Sequence, residues 1–348
     1  MKRILGLILA LVLLTGCAAP APEADTTQQY TATFLTLFDT VTTIIGRAES
    51  EEAFREVSQA VHDDLLRYHE LFDIYNDYDG VNNLKTVNDN AGIAPVKVDR
   101  AIIDLLTDCK EFYDLTNGRV NVMMGSVLHL WHVARNEGLN DPAHAKLPDE
   151  DALQEAAAHI SFDALEIDEE ASTVFITDPA ARLDVGAIAK GWATQRAAEN
   201  APAGMLISVG GNVCATGPKL ADGTPWVIGI QDPDAADKNL HTVFITQGAV
   251  VTSGDYLRAY YVEGKPYHHI IDPDTLMPAA YWRSVSIVCP DSGLADALST
   301  ALFLMDREAG MALAESCGAE VFWVGLSGEE YMTPGFENIK RTKYEVKE

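Results

Sequence analysis

The spacing of hydrophobic positions divides this chain into two halves with different predicted secondary structure. In the first half, apolar residues recur at steps of three and four, which is the period of an amphipathic helix. A long helix is predicted over residues 49–75, because an apolar stripe is formed there by Phe54, Val57, Val61, Leu65, Tyr68 and Phe72. Further helices are predicted at 99–115 and 152–159, with a loop over residues 136–150.

The second half is dominated by short extended runs. Such runs, bounded by glycine and Asp-Pro pairs, are typical of β-strands. The predicted strands lie at 164–167, 173–177, 205–209, 226–230, 242–245, 250–253, 256–262 and 284–288. Predicted helices at 186–200 and 291–304 interrupt them, and residues 30–46 form an earlier strand. This order predicts a single α+β domain over residues 30–348, with an antiparallel or mixed sheet and packed helices.

The first residues indicate export and lipid attachment. Two basic residues precede an apolar stretch, 4–14, that is too short to span a bilayer as a mature helix. Residues 14–17 (Leu-Thr-Gly-Cys) resemble the lipobox of bacterial lipoproteins, whose cysteine is diacylated and becomes the N-terminus. We therefore expect a signal peptide at 1–16 and a flexible tether at 17–29. Acylated Cys17 would hold the protein on the extracytoplasmic face of the cell membrane. A plain secretory signal is the alternative.

The composition limits the partners of the chain. Its formal net charge is −27, and −29 once residues 1–16 are removed. Such acidity argues against nucleic acid and against adhesion to anionic headgroups. An anionic substrate would need a local cation, either a lysine or a metal. Buried thiols are predicted, with a disulfide as the alternative in an exported chain, for Cys109, Cys214, Cys289 and Cys317.

One segment with candidate chemistry lies at residues 184–191 (Asp-Val-Gly-Ala-Ile-Ala-Lys-Gly). A strand-to-helix turn is predicted there, and its free backbone N–H groups suit an anionic group. Gly191 allows close approach of another group, and Lys190 can reach a phosphate. A buried Lys–Asp pair beside an ordinary helix start is the structural alternative.

Two further segments offer a metal-ligand pair and a base. Asp296 and Thr300 share one face of an apolar predicted helix, and their oxygens suit Mg²⁺. A helix cap and a back-bonded threonine are the alternative, although Asp291 is the more natural cap. Of the adjacent His268 and His269, one at most is expected to face a site, where it could act as a general base. A surface histidine pair is the alternative.

Taken in chain order, these segments resemble the ApbE family of FAD:protein FMN transferases over about residues 36–305. Residues 184–191 are similar to the family signature Asp-x-Gly-Ala-x-Ala-Lys-Gly. Four other segments are similar to family motifs: Gly-Gly at 210–211, Thr-Ser-Gly at 252–254, His-x-x-Asp-Pro at 269–273 and Ala-Asp-Ala-x-x-Thr at 295–300. The chain departs from the family pattern at Asn121 and Met123, which replace Asp and Thr, and at Leu276, which replaces Gly.

The resemblance implies a bound FAD, a Mg²⁺ ion and transfer of FMN onto a threonine hydroxyl of an acceptor flavoprotein, with release of AMP. It assigns Mg²⁺ to Asp296, Thr300 and the carbonyl of Ala187, and we take His269 as the candidate base. The FAD contacts assigned in the same way are Phe38, Tyr75, Val120, Asn121, Val122, Asp184, Lys190 and Ile270. An FAD pyrophosphatase and a non-catalytic flavin- or solute-binding lipoprotein remain alternatives.

Overall fold

The computed structural model describes residues 27–256 and 258–341. The predicted signal peptide, Cys17 and the first part of the predicted tether lie outside these described residues. No helix within the described ranges is both long and apolar enough to cross a membrane.

Helices in the described chain lie mostly in its first half and near its end. They are α1 (Glu51–Phe72), α2 (Leu84–Asp89), α3 (Arg100–Leu115), α4 (Gly125–Asn140), α5 (Glu150–Ala157), α6 (Ala189–Asn200), α7 (Ser292–Phe303), α8 (Arg307–Ser316) and α9 (Pro334–Ile339). Short 3-10 turns occur at Leu37–Asp39, Pro142–His144 and Phe162–Ala164. Five of the described helices, α1, α6, α7, α8 and α9, pack against strands of the largest sheet, and α6 also contacts α1 and α7.

The strands pair antiparallel in every described sheet. They are β1 (Gln28–Phe34), β2 (Thr42–Ala48), β3 (Val96–Lys97), β4 (Leu165–Asp168), β5 (Thr173–Ile176), β6 (Leu206–Val209), β7 (Asn212–Ala215), β8 (Trp226–Asp232), β9 (Ala235–Ile245), β10 (Gly248–Gly254), β11 (Tyr260–Val262), β12 (Lys265–Tyr267), β13 (Trp282–Cys289), β14 (Glu320–Gly325), β15 (Glu330–Met332) and β16 (Lys340–Arg341). The largest sheet has the order β1-β2-β6-β7-β10-β13-β14-β15. The smaller sheets have the orders β16-β9-β8, β3-β5-β4 and β11-β12.

The main core lies between the large sheet and the helices. Ile44 of β2 and Ile207 of β6 are fully buried there, with Leu65 of α1. Burial of one such side chain contributes about 1.5–3 kcal/mol. A second core joins α7 and α8 to β13 and β14. The helix α7 therefore lies between two cores, which fixes the position of its polar residues.

The α+β class and the antiparallel sheet predicted from the sequence are confirmed. The predicted helix at 99–115 is also confirmed as α3. Residues 30–46 were wrongly predicted as one strand, since they form the hairpin of β1 and β2. The chain reverses between the two strands where Phe38 and Asp39 both adopt a φ of 52°.

Two predicted boundaries among the helices are also wrong. The loop predicted at 136–150 begins inside α4, which starts at Gly125 with no capping side chain at Met124 and so carries no start signal in the sequence. The helix predicted from residue 186 begins at Ala189, after a separate turn. In the second half, the strand predicted at 256–262 is confined to β11.

Candidate active site

The centre of the candidate site is the contact between α6 and α7. The backbone N–H of Gly191 donates a hydrogen bond of 2.8 Å to Oδ2 of Asp296, which is only 5% exposed. A Cβ atom at Gly191 would lie 2.3 Å from the carbonyl oxygen of Ser292 and 2.4 Å from the Cβ of Asp296. Only glycine lets the two helices approach this closely, and the contact holds the Asp296 carboxylate in place.

Two further oxygen atoms near this contact lack protein partners. Because Gly191 donates to Asp296, no backbone N–H of the described residues donates to the carbonyl of Ala187, one turn earlier. On α7, Ser299 donates its hydroxyl to the Asp296 carbonyl, whereas the hydroxyl of Thr300 has no hydrogen-bond partner in the described chain. The back-bonded threonine considered from the sequence is therefore not found at Thr300.

These atoms form a donor set that fits a hard cation. They are a carboxylate, a hydroxyl and a backbone carbonyl, and Mg²⁺ accepts such oxygens together with substrate phosphates and water. Within residues 27–256 and 258–341 there is no group of three or more His, Cys, Asp and Glu that could hold a metal. The single carboxylate of Asp296 remains compatible with Mg²⁺, which commonly takes one or two protein carboxylates. Lys190 adds a positive charge, with Nζ at 3.8 Å from Oδ2 of Asp296.

The turn before α6 is built around Asp184. Its Oδ1 accepts a hydrogen bond of 2.9 Å from the N–H of Gly186, and its own N–H donates to the carbonyl of Val122. Burial raises the pKa of the Asp184 carboxyl group, while the Gly186 hydrogen bond and the positive charges of Arg258 and Lys190 act in the opposite direction. Asp184 is thus the acidic group within a positively charged part of the surface.

Three of the residues around Asp184 were missed in the sequence. His132 and Arg135 lie on α4, and Arg258 follows β10 with a φ of 50°. The ring of Tyr75 stacks on His132, with centroids 5.0 Å apart and an interplanar angle of 25°. Burial and the charge of Asp184 raise the pKa of Tyr75 to about 12. The sequence offers one signal that α4 contributes to the site. Residues 129, 132 and 136 are polar and lie on one face of the helix.

Phe38 belongs to the same end of the molecule as Tyr75. Its N–H donates to Nδ1 of His69 over 3.2 Å, and the two rings meet edge to face. The helix α1 ends just beyond His69, and Oδ1 of Asp73 then accepts a hydrogen bond from the N–H of Tyr75. Gly210 is required beside this loop, because its φ is 58° and an added Cβ would lie 2.6 Å from a Thr40 hydroxyl.

The two adjacent histidines have different surroundings. His268 is buried: its Nε2 lies 2.9 Å from the Ala279 carbonyl and its Nδ1 accepts from the N–H of Ile270. Burial lowers the pKa of His268, so the ring is neutral near pH 7. Both ring nitrogens of His268 are therefore occupied, so His268 cannot take up a proton as a base, and the role of the more exposed His269 stays a prediction.

A charged clamp holds the loop after His269. Nη1 of Arg119 lies 2.7 Å from Oδ2 of Asp274 and 3.4 Å from Oδ1 of Asp272. Oδ1 of Asp272 also accepts from the N–H of Asp274. Leu276, which stands where the family has glycine, adopts a φ of 59° and is buried. Its carbonyl accepts from the indole of Trp131.

Four of the residues assigned to FAD by resemblance have mainly structural contacts. Val120, Val122 and Ile270 are buried. The side chain of Asn121 donates to the Ile160 carbonyl and accepts from the Met123 N–H. A carboxylate could not make the first bond, which accounts for Asn in place of the family's Asp. Direct FAD contact by these four residues stays a prediction.

The Thr-Ser-Gly segment supports α7 from the sheet. Ser253 of β10 and Ser299 lie 2.8 Å apart through their hydroxyls, and Ser299 donates to the carbonyl of Asp296. A 440 Å³ cavity between α1, α3 and α6 lies elsewhere and contains none of the predicted site residues. Its arginines already pair with carboxylates, so it is a weaker candidate for an anion than the α6–α7 contact.

The fold is that of an α+β protein, and oxygen atoms between two of its helices have the chemistry that a hard cation would need. The chain belongs to the ApbE family, whose model matches residues 35–323. It is similar to a FAD:protein FMN transferase of Treponema pallidum, with 36% identity over 66% of this chain and 67% of the relative. A FAD:protein FMN transferase of Vibrio cholerae is 28% identical over 97% of this chain and 98% of its own length.

Solved structures agree with this membership. The crystal structure of the ApbE protein of Thermotoga maritima matches with a TM-score of 0.80 and 29% identity, over 90% of this chain and all of that one. The flavin transferase ApbE of Vibrio cholerae matches with a TM-score of 0.74 and 23% identity, over 90% of this chain and 99% of that one. At 23% identity, the similarity to the Vibrio cholerae structure shows a shared fold.

Proposed function

We propose that this protein transfers FMN from FAD to a threonine hydroxyl of an acceptor flavoprotein, releases AMP, and depends on Mg²⁺. The names of its relatives support the transferase activity. The observation that carries the metal dependence is the donor set at the α6–α7 contact. There the Asp296 carboxylate is fixed by Gly191, while the Ala187 carbonyl and the Thr300 hydroxyl lack protein partners.

In the proposed reaction, the threonine oxygen of the acceptor forms a bond to the phosphorus of the FMN half. The bond from this phosphorus to the bridging oxygen breaks, and AMP leaves with that oxygen. His269 takes the threonine proton, because His268 is already bonded through both ring nitrogens. Lys190 orients the pyrophosphate. Mg²⁺ held by Asp296, Thr300 and Ala187 would supply charge neutralisation at the phosphate oxygens.

The proposed location is the extracytoplasmic face of a bacterial cell membrane, with acylated Cys17 as the anchor. The support is the basic and apolar start of the chain and its Leu-Thr-Gly-Cys segment. The proposed domain organisation is a signal peptide at 1–16, a tether at 17–29 and a catalytic domain at 30–348. Metabolic labelling with a radioactive fatty acid tests the anchor, with Cys17→Ala as the variant that must lose the label.

The transferase is tested by mass spectrometry of a candidate acceptor after incubation with FAD and Mg²⁺. The expected result is a mass increase equal to one FMN on a threonine. Substitution of that threonine by valine should abolish the increase. If FMN and AMP are released equally fast without any acceptor, the protein is an FAD pyrophosphatase. If FAD binds but is never cleaved, the protein is a flavin-binding lipoprotein.

Variants separate the proposed metal site from a structural role of the same helix. Asp296→Asn should abolish transfer, and EDTA should do the same to the unchanged protein until Mg²⁺ is restored. Asp291→Asn is the matched control, because Asp291 caps the same helix through the N–H of Leu294 and asparagine caps equally well. His269→Ala should lose transfer while FAD binding persists. Full activity of His269→Ala, or of the wild type in excess EDTA, would refute the corresponding role.

A further inference from the structure

One edge of the largest sheet has no partner strand among the described residues. The strand β1 stands at the end of the strand order, and all seven of its residues pair with β2 without a bulge. The N–H of Gly210 donates to the carbonyl of Val41, which directs Val41 and every second residue after it towards β6. The residues of β2 between them bond to β1. In β1, the backbone groups that point away from the sheet are therefore those of Gln29, Thr31 and Thr33.

This free edge lacks the features that usually prevent a sheet from adding further strands. Charged residues, proline and bulges are the common protections. Residues 27–38, which include β1, contain no charged residue and no proline, although 22% of the chain is charged. The opposite edge, β15, has only three residues, and one of them is Glu330, whose carboxylate contacts His241. Of the two edges, β1 is the one that can accept a further strand.

The edge of β1 is held in place before any partner binds. Tyr30 stacks on Phe54 of α1, with ring centroids 5.6 Å apart. Phe34 contacts the ring of His62 on the same helix, with centroids 4.4 Å apart. A preformed edge binds a segment without the cost of ordering its own residues.

The strand β1 leads directly to the candidate active site. The loop after it contains Phe38, and Val41 at the end of this loop accepts the hydrogen bond from Gly210 of the Gly-Gly turn. Two large apolar side chains of the loop lie at the surface, since Leu35 is 71% exposed and Val41 is 51% exposed. A strand added beside β1 would therefore run to the site along an apolar surface.

The occupant that fits this surface is an extended polypeptide segment. Strand addition uses main-chain hydrogen bonds, and the free groups of β1 recur at every second residue, as such pairing requires. A transferase that modifies a threonine must bring this side chain to its site, and an extended segment presents each side chain in turn. A second copy of the chain fits the edge less well, because it would bring together two molecules of net charge −27.

We propose that the free edge of β1, with Leu35 and Val41, binds an extended, threonine-containing segment of the acceptor flavoprotein by strand addition. The identity of this partner rests on the proposed function, because only the transferase needs an acceptor protein. The backbone of the segment pairs with Gln29, Thr31 and Thr33, and its apolar side chains cover Leu35 and Val41.

Proline at residue 31 tests the role of the backbone edge. Thr31→Pro removes an N–H that points away from β2, whereas Thr31→Val keeps this N–H and nearly the same side-chain shape. With the full-length protein in detergent and a candidate acceptor, Thr31→Pro should raise KM for the acceptor about tenfold, the effect of losing one or two hydrogen bonds. Thr31→Val should leave this KM unchanged, and KM for FAD should be the same in both variants. An unchanged acceptor KM in Thr31→Pro, or an equal rise in Thr31→Val, would overturn the proposal.

A binding measurement in EDTA and without FAD separates this proposal from the proposed function. The probe is a fluorescent decapeptide of alternating threonine and valine. Its control carries N-methyl groups on two adjacent central residues, so that neither of its edges can pair there. Fluorescence anisotropy should show binding weaker by about tenfold for the control peptide, and likewise for the unmodified peptide with Thr31→Pro. Equal binding of the two peptides would overturn strand addition. Peptide binding by a protein that transfers no FMN would refute the transferase and keep the edge as a peptide-binding surface.

Two further measurements address folding and self-association. If Thr31→Pro fails to fold, Leu35→Ser, which changes an exposed side chain, must weaken binding of the decapeptide. Unchanged binding by Leu35→Ser would then overturn the proposal. Analytical ultracentrifugation tests the second copy as occupant. A dimer that dissociates in Thr31→Pro and persists in Thr31→Val would assign the edge to self-association and overturn acceptor binding.

Discussion

At the scale of single residues, the contact between α6 and α7 depends on one glycine. The carboxylate, the carbonyl and the hydroxyl of the proposed metal site are oriented only while the two helices stay in contact at Gly191. No hydrophobic pattern requires a glycine there. The family signature therefore records a steric requirement of the site.

Gly191→Ala should destabilise the protein and disable the site. The added methyl group would lie within 2.4 Å of Asp296 and Ser292 atoms, and such overpacking typically costs about 1–3 kcal/mol. Urea denaturation measures the loss, and transfer activity should fall with it. Gly310→Ala in α8 is the control, because its Cβ would meet no atom closer than 3.4 Å. A Gly191→Ala protein as stable and active as Gly310→Ala would contradict this account.

Leu276 should show a reversed preference between alanine and glycine. Its φ of 59° disfavours every residue with a Cβ by about 1 kcal/mol relative to glycine. Leu276→Ala loses buried surface and keeps the strain, whereas Leu276→Gly loses the surface and relieves it. We expect the glycine variant to be the more stable of the two in thermal melts. At the helical and buried Leu106, the order should be the usual one, with alanine above glycine.

Asp184→Asn should stabilise the protein in a pH-dependent way. Because burial raises the pKa of Asp184 in the folded state, its ionised form costs stability above that pKa, and the cost disappears as the pH falls and the group is protonated. Asparagine can still accept the Gly186 hydrogen bond. The increase in melting temperature caused by Asp184→Asn should be larger at pH 7 than at pH 4. The same variant should lose nucleotide binding. If the increase in melting temperature became larger as the pH is lowered, the pKa of Asp184 would not be raised in the folded protein.

At the scale of secondary-structure elements, the clamp of Arg119 joins two segments of the site. It connects the turn that precedes α4 to the loop that follows His269. Arg119 stands more than 150 residues before that loop in sequence, so the pairing could not be predicted from local patterns. The ion pairs of Arg119 are therefore expected to position His269 and to contribute little to the free energy of unfolding.

Arg119→Met should lower kcat for FMN transfer about tenfold with little change in KM for FAD, since small displacements of a base have large kinetic effects. The loss of stability should stay within about 1 kcal/mol, because partly exposed ion pairs contribute little. Arg119→Lys should restore part of kcat. Arg55→Met is the control. It removes the ion pair between Arg55 and Glu52, whose side chains are both exposed, and should leave kcat unchanged. An unchanged kcat in Arg119→Met would show that the clamp does not position the base.

The sequence predicts a helix correctly where an apolar stripe and a capping residue mark it. The helices α1 and α3 have a clear apolar stripe and a capping residue, and both are predicted correctly. The helix α4 has neither a cap nor a polar start, so Arg135 was not recognised. Arg135 and Arg258 lie in different parts of the sequence, and the charge of one acts on the other only through the tertiary fold, so no local pattern could indicate this pair.

At the scale of the whole molecule, the net charge of −27 opposes the approach of every anionic ligand. This long-range field is felt over about 30 Å at 10 mM salt and over only about 8 Å at 150 mM. The cations near Asp184, which are Arg258 and Lys190, act at shorter range than this field. Repulsion should therefore limit the rate of association and not the stability of the complex.

The association rate of FAD should rise as NaCl is increased from 10 to 150 mM at constant Mg²⁺. Stopped-flow quenching of flavin fluorescence measures this rate. Riboflavin, which carries no phosphate, is the control and should show almost no salt dependence. A rate that falls with salt for FAD would mean that local attraction by these cations, and not the net charge, governs the encounter.

The course of β1 has a consequence for which acceptors the protein can reach. The strand starts at Gln28, so the last two residues of the predicted tether belong to β1, and its seven residues lead over about 20 Å to the loop that contains Phe38. The eleven residues from Cys17 to Gln28 can extend over at most about 40 Å. If Cys17 is anchored in the bilayer as proposed, the proposed catalytic end of the molecule would lie within roughly 60 Å of the membrane surface. A target threonine would have to be presented within that layer.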